Sequence, residues 1–110
     1  MEEPALITAN DDVGISLMAG EEADAVVTLL RERLGDALRV SDHVAYVKLE
    51  TSVGQIEVHF VDAAEILGRP FTLGQFQVIL SSYYGRPTVD DDMFGVYSSM
   101  TAGVLTNGDR

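Results

Sequence analysis

The chain has 110 residues, seven of them basic and eighteen acidic, giving a formal charge of −11; 46% are hydrophobic and none is cysteine. That length allows one domain with one modest core, and the charge opposes contact with nucleic-acid phosphates or anionic lipid. Lack of cysteine excludes disulfides, thiolate metal sites and thiol nucleophiles.

A mean hydropathy of +0.12 points to a folded globule. No apolar run approaches the ~20 residues of a membrane helix, and no signal peptide is legible, so the expected setting is cytoplasmic.

Residues 1–12 mix acid, proline and small side chains without sustained periodicity and read as a flexible arm. Val13–Met18 suits a strand. Next, EEADAVVTLLRERLG sets Ala23, Val26, Val27, Leu30 and Leu34 at helical spacing. Acids at its start and Arg31 and Arg33 near its end complement the helix dipole, and Gly35 closes it. Residues 37–40 read as a short strand. After them VAYVKLE and QIEVHF alternate with period two around a turn at residues 51–54, which predicts an antiparallel hairpin. Ile56, Val58 and Phe60 mark the buried face of its second strand, and Gln55, Glu57 and His59 the wet one.

Residues 62–87, DAAEILGRPFTLGQFQVILSSYYGRP, are punctuated most clearly. A short helix over residues 62–67 ends at Gly68, with Pro70 barring its continuation and Arg69 between them. Arg69 either bonds the helix carbonyls, the favoured reading, or reaches a partner carboxylate. Thr72 then stands as N-cap, Gln75 completes a capping box, and Phe71 and Phe76 form a hydrophobic staple. A second helix follows, with Leu73, Phe76, Ile79, Leu80 and Tyr83 as its apolar stripe. An acidic turn at residues 90–92 precedes a strand over residues 93–98, and the chain ends in a loose tail, residues 100–110. The sum is an α+β fold: a single small domain, residues 13–99, of a mostly antiparallel sheet with two or three packed helices.

Catalytic equipment is not legible. His43 and His59 have no third nitrogen or sulfur ligand for a transition metal, and each is expected on the surface. The acidic turn lacks the spacing, glycine and terminal glutamate of a calcium loop. Ser81 and Ser82 have no base nearby and no nucleophile elbow.

Taken in order, NDDVGISLMAG, VAYVKLE, QIEVHF, LGRPF and SSYYGRP resemble the coupling or effector proteins of bacterial soluble diiron monooxygenases, over about residues 10–99. This family includes the regulatory subunits of the methane, alkene, propane, phenol and toluene enzymes. The resemblance implies a non-catalytic protein without metal, flavin or iron–sulfur centre. Its partner would be the hydroxylase α subunit, which it docks on above the diiron site, controlling oxygen activation, substrate entry and coupling to electron delivery by the reductase. The alkane and alkene systems are the most similar.

Resemblance also places Asn10 and the turn Ser81, Ser82, Tyr83, Tyr84, Gly85 and Arg86 at the hydroxylase interface. The methane relative carries Ser-Ser-Thr-Ile-Gly-Arg there; Ser81 and Ser82 match it, whereas Tyr83 and Tyr84 depart. On the residues alone, Tyr83 could equally continue the buried stripe. Two rival readings are an acidic interaction module for another basic protein and a small ligand-binding domain walled by the aromatic turn.

Overall fold

A computed structural model describes residues 12–98. The elements are β1 (Val13–Met18), α1 (Glu21–Leu34), β2 (Leu38–Asp42), β3 (Tyr46–Thr51), β4 (Gln55–His59), α2 (Phe60–Leu67), α3 (Leu73–Ile79), β5 (Leu80–Tyr84), β6 (Arg86–Val89) and β7 (Met93–Tyr97). The strands form two sheets, ordered β2-β3-β1-β5 and β4-β7-β6, with every pairing antiparallel. The expected α+β architecture therefore stands, with the strands divided between two sheets and three helices against them.

One apolar core joins the layers. Val13, Ile15 and Leu17 of β1, Leu49 of β3, Ile56 and Val58 of β4 and Val96 of β7 are all buried, facing Ala23, Val26, Leu29 and Leu30 of α1. The stripe forecast for α1 is displaced by part of a turn: Val27 and Leu34 are only partly covered, while Ala25 and Leu29 are buried. All four phenylalanines lie in one chain of ring contacts. Phe76, fully buried, sits 5.6 Å from Phe60, 6.3 Å from Phe71 and 5.1 Å from Phe94, centroid to centroid. Tilted and edge-on pairs of this kind add about 0.5–1.5 kcal/mol each beyond simple burial.

Local punctuation around residues 68–76 forms as the sequence demands. Gly68 caps α2 in the left-handed conformation with φ 84°, and its N–H donates to the Ala64 carbonyl. At α3 the Thr72 hydroxyl accepts from the Gln75 N–H at 3.2 Å, and the Gln75 side chain accepts from the Thr72 N–H at 2.8 Å. Phe71 closes the staple on Phe76. Helix α2 begins earlier than expected: Phe60 leaves the strand and opens the helix, its N–H held by the Asp92 carbonyl. Asp90 makes the forecast turn, its carboxylate accepting from the N–H groups of Asp92 and Met93.

Two expectations are corrected. β3 and β4 do not form a hairpin: β3 is flanked on both sides, by β1 and by β2, whereas β4 pairs with β7 in the other sheet. Both edges of β3 are occupied, so the chain crosses to the second sheet through Gly54, whose carbonyl accepts the Ser98 N–H. The true hairpin is β2–β3. The apolar stripe of the second helix is likewise cut short. Helix α3 ends at Ile79, and Leu80, Ser81, Ser82, Tyr83 and Tyr84 become strand β5 along the open edge of β1. Here the ladder to β1 overrides helical spacing, as tertiary pairing commonly does for β-branched and aromatic runs.

Candidate partner-docking surface

Strand alternation gives the four-stranded sheet a core face and an outer face. On the outer face Tyr84, Gly14 and Glu50 lie in one cross-strand row, Ser82, Ser16 and Lys48 in the next, and Met18 and Tyr46 in a third. The middle row is built of short side chains, so the sheet is hollow there. A depression of about 360 Å³ is lined by Gly14, Ser16, Tyr46, Lys48, Ser81, Ser82, Tyr83 and Tyr84.

A β-bulge shapes this hollow. Ser82 stands opposite Ser16 and Leu80 opposite Leu17, so Ser81 is an extra residue on β5. Bulges of this sort re-aim neighbouring side chains, and both serines reach the hollow.

Tyr84 forms its wall. Its ring lies across Gly14, where a Cβ would come within 2.4 Å of the ring carbon Cε1. The Tyr84 hydroxyl donates to the Glu50 carboxylate, and Lys48 pairs with the same carboxylate at 3.5 Å while lying 6.0 Å from the ring centroid. Partial burial, and then the hydrogen bond donated to the Glu50 carboxylate, push the Tyr84 phenol well above its ordinary value. The phenol is therefore held neutral as a donor. The second sheet repeats the device: Tyr97 covers Gly95 and donates to Glu57 at 2.6 Å; partial burial, and then this bond, raise the Tyr97 phenol to about 12, and the same bond lowers Glu57.

The residues expected at the interface separate into groups. Ser81, Ser82 and Tyr84 converge on the hollow. Tyr83 borders the hollow as well, but its ring packs 5.8 Å from Phe94 and remains 44% exposed. Gly85, at φ 119°, carries the chain from the edge of one sheet to the edge of the other, where a Cβ would stand 3.0 Å from Val13 and 3.1 Å from the Tyr97 carbonyl. Arg86 then opens β6, exposed. Asn10 lies outside the described residues.

Arg69 anchors its corner through carboxylates in place of the expected helix carbonyls. Its guanidinium bridges Glu21 and Glu22 at the start of α1, at 3.1 and 3.2 Å, tying the corner after α2 to another helix. Gly68, Pro70, Phe71, Thr72 and Gln75 complete that corner, which orients α3 and so delivers β5 to β1. Gly14, Ser16, Tyr46, Lys48 and Glu50 escaped the sequence reading. Their alternation was visible, but only the pairing of β1 with both β3 and β5 puts them beside Ser82 and Tyr84.

Among the described residues no cluster of three or more histidine or acidic side chains could hold a metal ion, and no helix is long and apolar enough to cross a membrane. The hollow offers hydroxyls, one ammonium and aromatic side chains.

A family model, MmoB/DmpM, matches residues 11–97. The chain belongs to the MmoB/DmpM family. Its members are regulatory components of monooxygenases, and the fold agrees. A chain from a structure of a phenol hydroxylase–regulatory protein complex superposes with a TM-score of 0.67 at 17% identity, covering 78% of this chain and 97% of that one. A chain from another structure of such a complex gives 0.62 at 16%, covering 78% and 98%. The regulatory protein B of soluble methane monooxygenase gives 0.61 at 25%, covering 83% of this chain and 67% of that one. MmoB/DmpM membership thus accords with the resemblance read from the ordered motifs.

Proposed function

We propose that this MmoB/DmpM-family chain is the cofactor-free coupling component of a diiron monooxygenase, acting as a binding partner and catalysing nothing alone. It docks on the α subunit of the hydroxylase near the diiron site and controls oxygen activation, substrate entry and coupling to NADH oxidation, in a system of the alkane or alkene type. Residues 13–99 form the docking domain, and Asn10 belongs to the contact surface. The observation that carries the reading is the hollow on the outer sheet face, where Ser81, Ser82 and Tyr84 of β5 meet Ser16, Tyr46 and Lys48. Solved relatives include regulatory proteins in complexes with phenol hydroxylase, which supports the hydroxylase as the partner.

Physically, such regulation is a coupling free energy. The chain shifts the hydroxylase between conformations only by as much as it binds one better than the other. Neutral hydroxyls on a strongly acidic protein suit this role, because they make contacts without introducing a buried charge.

The test is reconstitution of the hydroxylase and reductase with and without this chain, recording product formed and NADH consumed. The ratio of product to NADH is expected to rise with the protein present and to fall again with Ser82→Tyr, which fills the hollow. An unchanged ratio on adding the wild-type protein defeats the proposal.

A further inference from the structure

The tip of the β2–β3 hairpin holds a residue that local energetics disfavours. Val44 has φ 71°, the only non-glycine positive φ among the described residues, and its side chain is 89% exposed. A β-branched side chain resists the left-handed region, where glycine or asparagine is favoured. Burial does not compensate, since the valine touches water almost everywhere.

Every neighbouring group pins this conformation. The Val44 N–H donates to the Asp42 carboxylate at 2.8 Å, the His43 N–H to the Tyr46 carbonyl at 2.9 Å and the Ala45 N–H to the His43 carbonyl at 2.8 Å. The Ala45 carbonyl in turn accepts from Ala19, and the His43 ring stacks on Tyr46 with centroids 4.6 Å apart. The valine is therefore a rigid apolar knob. Backbone strain that a structure over-determines in this way concentrates at functional positions.

The knob continues the docking face. Met18 and Tyr46, the third row of the outer sheet face, are 52% and 39% exposed and lead from the hollow to the tip. On a chain of charge −11, residues 43–46 carry no carboxylate, and the Asp42 carboxylate beside them is engaged by the Val44 N–H. A surface arranged so suits an apolar recess better than a basic patch.

We infer that Val44 is an anchor that inserts into an apolar recess on the hydroxylase, with Met18 and Tyr46 sealing the rim beside the hollow. The inference rests on the docking reading above and deepens it by adding a second, apolar point of contact. Rigidity matters because an anchor already held in its bound conformation loses little freedom on binding.

The experiment measures affinity for the purified hydroxylase of the same organism by titration calorimetry, using wild type, Val44→Gly, Val44→Asn and Ser82→Tyr. Thermal melts of each free protein run alongside. Glycine and asparagine both accept the tip conformation, so these variants are expected to melt at or above the wild-type temperature while binding about tenfold more weakly. Affinity within about twofold of wild type for both Val44 variants, with Ser82→Tyr still weakened, overturns the anchor and leaves the docking reading intact. No binding by wild type overturns both. A dimer of the free chain that light scattering detects and Val44→Asn abolishes also overturns it, because the knob would then serve a second copy.

Discussion

Gly14 and Tyr84 offer the sharpest test of how the outer face is built. In Gly14→Ala the new Cβ would sit 2.4 Å from Tyr84 Cε1, roughly 1 Å inside the ordinary 3.4–4 Å contact, and it also crowds Cζ and the hydroxyl. The ring must swing away and release Glu50. A hydrogen bond to a charged group is worth about 1.5–3 kcal/mol, and solvent exposure of this pair brings that down to about 1 kcal/mol. Lost packing of the ring adds about 0.5–1 kcal/mol. Alanine in a strand returns about 0.5–1 kcal/mol relative to glycine, so the single substitution should cost about 1 kcal/mol, or about 4–8 °C of melting temperature for a domain of this size. With Tyr84→Ala already present there is no ring to displace, and only the strand preference remains. Gly14→Ala should then stabilise, by about 0.5 kcal/mol. Thermal and urea unfolding of the four proteins of this cycle measure the coupling directly. If Gly14→Ala carries the same cost in both backgrounds, the account of Tyr84 as a ring laid over a bare backbone is wrong.

Thr72→Ala should lose about 1 kcal/mol by removing the capping box of α3, seen as a lower urea midpoint with an unchanged slope. At alkaline pH the fold should weaken through its tyrosines. The Tyr97 phenol is raised from 10.0 to about 12 in the folded chain, so the stability it contributes is complete below pH 10 and is lost as pH climbs from there through about 12. Tyr84 is displaced in the same direction. Tyr97→Phe should flatten the fall in melting temperature across that window, and a tyrosinate absorbance titration of the wild type should show a late-ionising class.

What the amino-acid order determined by itself is whatever one or two turns of chain can enforce. Gly68 stops α2 because only a residue without Cβ adopts its φ of 84° cheaply, and Thr72 and Gln75 satisfy each other's backbone across a single turn. Helix α1, strand β1 and the family resemblance were legible for a related reason: periodicity and ordered motifs are properties of the linear chain. The hollow on the outer sheet face was not. Alternation in VAYVKLE shows that Lys48 and Glu50 share a face, yet it is equally consistent with a hairpin to QIEVHF and with the observed ladders to β1 and β2. Spacing in residues 73–83 fits a continuing helix, and only the open edge of β1 draws residues 80–84 into a strand and swings Tyr84 over Gly14. Long-range pairing chooses among conformations that are nearly equal in local energy. For that reason the hollow of Ser16, Lys48, Ser82 and Tyr84, gathered from three distant segments, exists only in the folded molecule.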